Sequence, residues 1–255
     1  MAVKFRNLKK ITYSEFMSSC RNKAEKDLIR RNIISGDIYI VQKVIKKKLA
    51  KNILSTIVNR PLIEAASVKI LEGTENIFFT SNYKKNKSSE YTAIDKSWYF
   101  FTWNRDETGI IKLLQPIYNN VILLNNKKPS QIIRNTPKDI LIQRFHLINY
   151  PIPSGEISLH RDPVNITQVA GNIYFTEFGE DYDSGGFYVL DKSNNKISVD
   201  NEVKCGDMVL FHQGIPHGVD SIKSSNYSSN GRYSLSVNII ESHEKKDRLK
   251  AEGIN

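Results

Sequence analysis

GDMVLFHQGIPHGVDSI, residues 206–222, reads as two short strands joined at a tight corner. The apolar run Met208–Phe211 is too short for a helix and is bounded by Gly206-Asp207, which is turn chemistry. Gln213-Gly-Ile-Pro216 breaks the chain, and His217–Ile222 resumes an extended pattern. The sequence on either side repeats this texture. DILIQRFHLINY (139–150), GEISLHRD (155–162), ITQVAGNIYFTEF (166–178), GGFYVLD (185–191) and KISVD (196–200) precede the stretch, and GRYSLSVNII (231–240) follows it. Between them lie PIPSG (151–155), EDYDSGG (180–186), KSNNK (192–196), KCGD (204–207) and SSNYSSNG (224–231), all turn-forming. Eight short strands at this spacing predict a mainly β chain of α+β class, with a double-sheet jelly roll or barrel at its core.

The first half is different. YSEFMSSCRNKAEKDLIRRNIIS (13–35) predicts a helix with Ser14 as N-cap and Gly36 as stop, followed by a strand over 37–45. A helix is expected over 46–59, a buried aromatic strand over 96–104, and a helix over 109–126 kinked at Pro116. Residues 62–73 fit neither pattern, and 81–90 read as a polar, lysine-rich loop. The expected organisation is one domain over 1–255. It comprises a basic, helix-rich supporting part (1–138), a catalytic core (139–240) and a charged tail (241–255).

Formal net charge is +10, and its placement matters more than its size. Residues 1–60 carry 15 Lys/Arg against 4 Asp/Glu, while the remaining 195 residues carry 22 against 23. A basic arm of this kind suits nucleic acid, an anionic surface, or simply a solvated helical face. The neutral remainder argues against a site built for phosphate. Two distant cysteines, Cys20 and Cys205, give no disulfide framework and fit a reduced, cytoplasmic setting. MAVKFRNLKK has no apolar signal core, and no run approaches a membrane-spanning length.

Candidate chemistry gathers in the second half. Side chains two apart on a strand share a face, so His160 and Asp162 can hold one metal ion at a strand end. His217, after the QGIP corner, is placed at a barrel mouth. Two imidazoles and one carboxylate leave open positions on a six-coordinate ion, the set suited to Fe(II) and O2. Zinc competes for such ligands, but a hydrolytic zinc site needs a general base and no His-Glu-x-x-His is present. Arg232 and Ser234 share a face of the last strand and could grip an acid, the guanidinium as a fork and the hydroxyl as a further donor.

His160-x-Asp162, His217 within FHQGIPHGV, and Arg232-x-Ser234 together resemble the Fe(II)/2-oxoglutarate-dependent dioxygenases, over about residues 139–240. The resemblance implies a double-stranded β-helix, with His160, Asp162 and His217 as iron ligands. It also implies Arg232 and Ser234 as the grip on the distal carboxylate of 2-oxoglutarate. It favours His217 over His212 as the third ligand. It further implies oxidative decarboxylation of 2-oxoglutarate with O2, giving succinate and CO2, coupled to hydroxylation of a C–H bond. The halogenating branch has Gly or Ala at the carboxylate position, so Asp162 points to hydroxylation.

Arg144, His146, Gln168, Asn172 and Asn238 are candidate substrate residues, with Tyr174 on the same strand face as Asn172. The expected substrate is a small soluble metabolite, an amino acid or a derivative. It is expected to be cationic if the acidic loop 177–186 closes over the pocket. A nucleic-acid oxygenase using the basic segment is the alternative, although dealkylases of this type typically place a second Arg where Asn238 stands. A jelly-roll binding module without catalysis is the other.

Overall fold

The computed structural model describes residues 3–65, 75–83, 92–225 and 230–242. In chain order the elements are β1 (Leu8–Thr12), α1 (Tyr13–Arg21), α2 (Lys23–Ile34), β2 (Ile38–Gln42), α3 (Lys47–Val58), β3 (Ile63–Glu64), β4 (Ile77–Tyr83), β5 (Ala93–Phe101) and α4 (Ile110–Leu124). Then come β6 (Leu141–Tyr150), β7 (Glu156–His160), β8 (Val169–Tyr174), β9 (Ser184–Leu190), β10 (Lys196–Ser198), β11 (Met208–His212), β12 (His217–Lys223) and β13 (Arg232–Glu241). Hydrogen bonding runs β1-β2-β11-β8-β13-β6-β5-β7-β12-β9-β10, with β4 beside β5 and β3 beside β4. β5 pairs with β6 through Lys96–Phe101 and with β7 through Ala93 and Ile94. It therefore carries the larger sheet around into the smaller one, β7-β12-β9-β10.

Alternation along the strands divides the side chains between two cores. Phe145, Leu147, Ile173, Leu210, Tyr233 and Leu235 meet Phe16, Ile29, Ile33, Leu114 and Tyr118 of the helices. Tyr150, Tyr174, Phe187, Val189, Val209, Phe211 and Val219 form the second core, inside the barrel. Because Tyr233 and Leu235 turn to the helices, Arg232 and Ser234 turn inward.

The strands expected from 139 to 240 are all present as β6 to β13. The expected helix over 13–35 is instead two. Asn22 takes an extended conformation and its side chain accepts from the N–H groups of Ala24 and Glu25, starting α2 afresh. Thr12 rather than Ser14 caps α1, in a reciprocal capping box with Glu15. α4 runs unbroken through Pro116, held on both sides by buried Leu114, Ile117 and Tyr118. β1 was not expected, because its two lysines read as part of a basic arm. It pairs in parallel with β2, and Lys9 and Lys10 reach Asp37 and Glu202. β2 in turn pairs with β11, so the first half supplies strands to the barrel's larger sheet.

Most of 62–73 and 81–90, residues 226–229 and the tail beyond Ser242 lie outside the described residues. Both cysteines are free and buried, with burial pushing Cys20 to about 12 and Cys205 to about 11. Among the described residues no helix is long and apolar enough to cross a membrane.

Asn125, at the end of α4, fastens the helical layer to β8. Its Oδ1 accepts from the N–H groups of Gln168 and Val169, and its Nδ2 donates to the carbonyls of Val121 and Val169. Asn125→Ala leaves these groups without that partner and is expected to cost about 2 kcal/mol or more in urea unfolding. A loss below about 0.5 kcal/mol, the range of ordinary surface changes, would show that the staple contributes little.

Candidate active site

His160 ends β7 and stands opposite His217, the first residue of β12, in register. Pairing then slips, so that Val219 faces Ile157 and β7 carries one extra residue. His160 Nδ1 bonds to the carbonyl of Ser158 and His217 Nδ1 to that of Ile215, both at 2.8 Å. A backbone carbonyl can only accept, so each ring carries a proton on Nδ1 and turns its Nε2 toward the site. Both Nε2 atoms converge on Asp162, at 3.5 Å from its Oδ1 and Oδ2 respectively.

Asp162 arrives there by a route other than the strand pleat. β7 stops at His160, Arg161 turns outward to the carbonyls of Gly214 and Val3, and the Asp162 N–H bonds to the carbonyl of Gln213. The 212–214 turn therefore sets the carboxylate. Ligand atoms of the three residues all lie within 4.8 Å of one another. Cis ligands about 2.1 Å from a common ion sit about 3 Å apart, so this donor set fits a first-row divalent metal with small adjustment. Although burial opposes ionisation of Asp162, bonds to His160 and His217 hold its carboxyl below the usual carboxylate range. Burial also opposes charge on His160, but Asp162 outweighs it and raises that imidazole. Phe187 and Phe211 enclose the His217 ring at 5.8 and 5.2 Å between centroids.

His212 is outside this cluster. It is buried, and its Nδ1 accepts from the Gly214 N–H.

Arg232 and Ser234 lie inside the barrel on β13, with Arg232 Nη1 donating to Ser234 Oγ at 3.1 Å. The guanidinium sits over the Tyr174 ring, 4.6 Å from its centre. A residue unforeseen in the sequence completes this group. Asp200, on a short 3-10 turn, takes Arg232 Nε at 2.6 Å and Nη2 at 3.2 Å. Hydroxyls of Tyr174 and Tyr182 donate to the same carboxylate at 2.7 and 2.6 Å. Gly186 makes room, since a Cβ there would stand 2.5 Å from Asp200 Oδ2.

The candidate substrate residues divide. Arg144 and His146 on β6 face Asn238 and Ser236 on β13, and Ser236 also faces Asn172 on β8. These five positions make one polar strip, and Asn238 Nδ2 donates to Ser236 Oγ. Ser236 continues the two-residue period of Arg232 and Ser234, so the sequence contained the signal for it. His146 stacks on Tyr99 at 4.4 Å and its Nε2 meets Ser97 Oγ at 2.9 Å, while the Arg144 guanidinium also lies over the Tyr99 ring, 4.9 Å from its centre. Burial first, and then Arg144, keep His146 neutral, against a weaker opposing pull from the Asp162 charge.

Gln168 does not join the strip. β8 begins only at Val169, and the Gln168 Oε1 accepts from Arg30 of α2. The acidic loop is also not presented to a ligand. Glu177 and Glu180 bond Lys47, Asp181 bonds Lys51, and Lys204 reaches Glu177. Such pairs contribute little stability. They do remove the reason for expecting a cationic substrate, and they account for part of the basic excess before residue 60.

No protein-family model matches the chain, and no curated protein matches it in sequence. Its fold is shared with solved structures at low identity. A prolyl hydroxylase from Trichoplax adhaerens, solved with a hypoxia inducible factor oxygen degradation domain peptide fragment, superposes with a TM-score of 0.57. It is 13% identical, over 92% of this chain and 96% of its own. A Pseudomonas putida prolyl-4-hydroxylase gives 0.50 at 14% identity, over 84% and 98%. A Caulobacter crescentus protein assigned to the 2OG-Fe(II) oxygenase family gives 0.50 at 12%, over 95% and 88%. The double-stranded β-helix of those proteins is the fold of this chain.

Proposed function

We propose that this chain, which has the fold of the 2OG-Fe(II) oxygenases, is an Fe(II)- and 2-oxoglutarate-dependent hydroxylase of a small soluble metabolite, an amino acid or a derivative. The observation that carries the reading is the convergence of two proton-fixed imidazoles and one carboxylate in a barrel that also buries an Arg–Ser pair on its inner face.

His160 Nε2, His217 Nε2 and Asp162 would hold Fe(II), and Arg232 with Ser234 would hold the distal carboxylate of 2-oxoglutarate. When bound, iron with 2-oxoglutarate and O2 supplies the oxidising chemistry, yielding succinate, CO2 and a hydroxylated substrate. The carbonyls of Ser158 and Ile215 keep both imidazoles in the tautomer a metal needs. Phe187 and Phe211 shield the His217 side from water. Neutral His146, Arg144, Asn172, Ser236 and Asn238 offer substrate a strip of donors and acceptors, with Tyr99 behind it. Asp162 fills the position that a halogenating site would leave to chloride, which supports hydroxylation. A single domain, with its first half built into the barrel sheet, and a cytoplasmic location belong to the same reading.

Anaerobic addition of Fe(II) and 2-oxoglutarate is expected to give the weak visible charge-transfer band of a chelated keto acid. Under air, succinate release should rise several-fold over the uncoupled background with the right substrate among free amino acids, nucleosides and prolyl peptides, and the product should gain 16 Da. Absence of both the band and succinate release would leave a binding module without catalysis. Stimulation by nucleosides or oligonucleotides alone would replace the amino-acid substrate by nucleic acid.

A further inference from the structure

Arg232, the residue assigned to grip the keto acid, already holds a carboxylate. Asp200 occupies the Nε–Nη2 edge of the guanidinium in a bidentate fork. Four members of this cluster are almost fully enclosed, with Asp200, Tyr174 and Tyr182 each 1% exposed and Arg232 2%. Burial keeps both phenols well above their ordinary range, so each remains an O–H donor to Asp200. Burial acts against the Arg232 charge, but Asp200 outweighs it. The cluster is thus closed on itself in charge: one cation, one anion and two neutral donors.

A guanidinium has five N–H groups, and Asp200 uses two while Ser234 lies on Nη1. With the Nε–Nη2 edge taken by Asp200, a ligand carboxylate would have to take the terminal Nη1–Nη2 edge, beside Ser234. A second carboxylate docking there shares one positive charge with Asp200 and repels it across the guanidinium plane, in surroundings where screening is weak. We infer that Asp200 is an internal counter-ion that tunes co-substrate affinity, fixing the Arg232 fork while weakening its hold on the distal carboxylate of 2-oxoglutarate. Asp200 acts through Arg232 and is a positioning residue. The inference rests on the reading of Arg232 as the keto-acid anchor.

The consequence is a sign opposite to ordinary damage. Asp200→Asn keeps the shape, removes the competing charge and leaves a buried cation that a ligand carboxylate can neutralise. Native and D200N proteins, loaded with Fe(II) without air, are to be compared by Tm with and without 2-oxoglutarate and by titration of the charge-transfer band. D200N is expected to melt lower without keto acid, to gain more Tm from it than the native protein does, and to bind it at least about fivefold more tightly. A merely structural role would lower both melting points alike and weaken binding. Tyr182→Phe, which keeps the ion pair, covers the case in which D200N does not fold. Withdrawing one donor concentrates the Asp200 charge on Arg232, so keto-acid Kd should rise about twofold or more.

Equal or weaker binding by D200N overturns the inference, as does unchanged or tighter binding by Y182F. If native protein shows neither band nor Tm rise with 2-oxoglutarate, the anchor assignment itself fails, and this inference with it.

Discussion

Asp162→Ala protein supplied with Fe(II), 2-oxoglutarate and O2 is expected to release succinate at least about 10³-fold more slowly than the native protein. Asp162 is the anion between the two imidazole Nε2 atoms, 3.5 Å from each. Without it a divalent ion meets two neutral ligands and loses the charge that balances it. The loss therefore falls on metal retention as well as on rate, and bound iron after gel filtration should drop together with turnover. Asp162 is partly exposed and outside the apolar cores, so Tm without metal should change by only a few degrees. His212→Ala is the control. It lies five residues from His217 but outside the cluster, and its loss should leave iron content near native. Iron bound equally by Asp162→Ala and native protein would mean that the metal sits elsewhere.

Arg232→Met should be the most destabilising single change in the barrel. It leaves Asp200 buried without its cation and with only two phenol donors, where removal of one partner of a buried pair costs about 3–5 kcal/mol. For a chain of this length that corresponds to a fall of roughly 10 °C in Tm. The double variant R232M/D200L removes both charges and should recover most of the stability while still failing to bind 2-oxoglutarate. Recovery without binding separates the structural contribution of the pair from its anchoring role. A cost below about 1 kcal/mol for Arg232→Met would show that water reaches the cluster.

What could be read in advance follows from how local the determining physics is. Strand alternation and turn residues act over a few positions, so β6 to β13 were visible, and so was the shared face of Arg232 and Ser234. His160 and Asp162 were paired by the same rule, yet they converge because the 212–214 turn draws Asp162 inward after the strand has ended. Gln168 does not follow that rule because it lies one residue before β8 begins at Val169. Asn22 split a helix through a side-chain cap that composition alone does not reveal. Asp200, Tyr182, Ser97 and Tyr99 reach the site from a 3-10 turn, a loop and a distant strand, where no period points to them. Lys47 and Lys51 meet acids about 130 residues away, a pairing only the folded chain creates.

β13 is paired along its whole length with β6 and over Ser234–Ser236 with β8, whereas β7 has five residues and its pairing with β12 is irregular. The two ends of the site therefore belong to different cooperative units. Opening of the His160–His217 end requires only that a short, imperfectly zipped strand fray, while the Arg232–Ser234 end is released only with the long, doubly paired β13. On the proposed assignment, iron would exchange in a partly opened molecule whose Arg232–Ser234 end is still folded, and loss of metal would not signal loss of the fold.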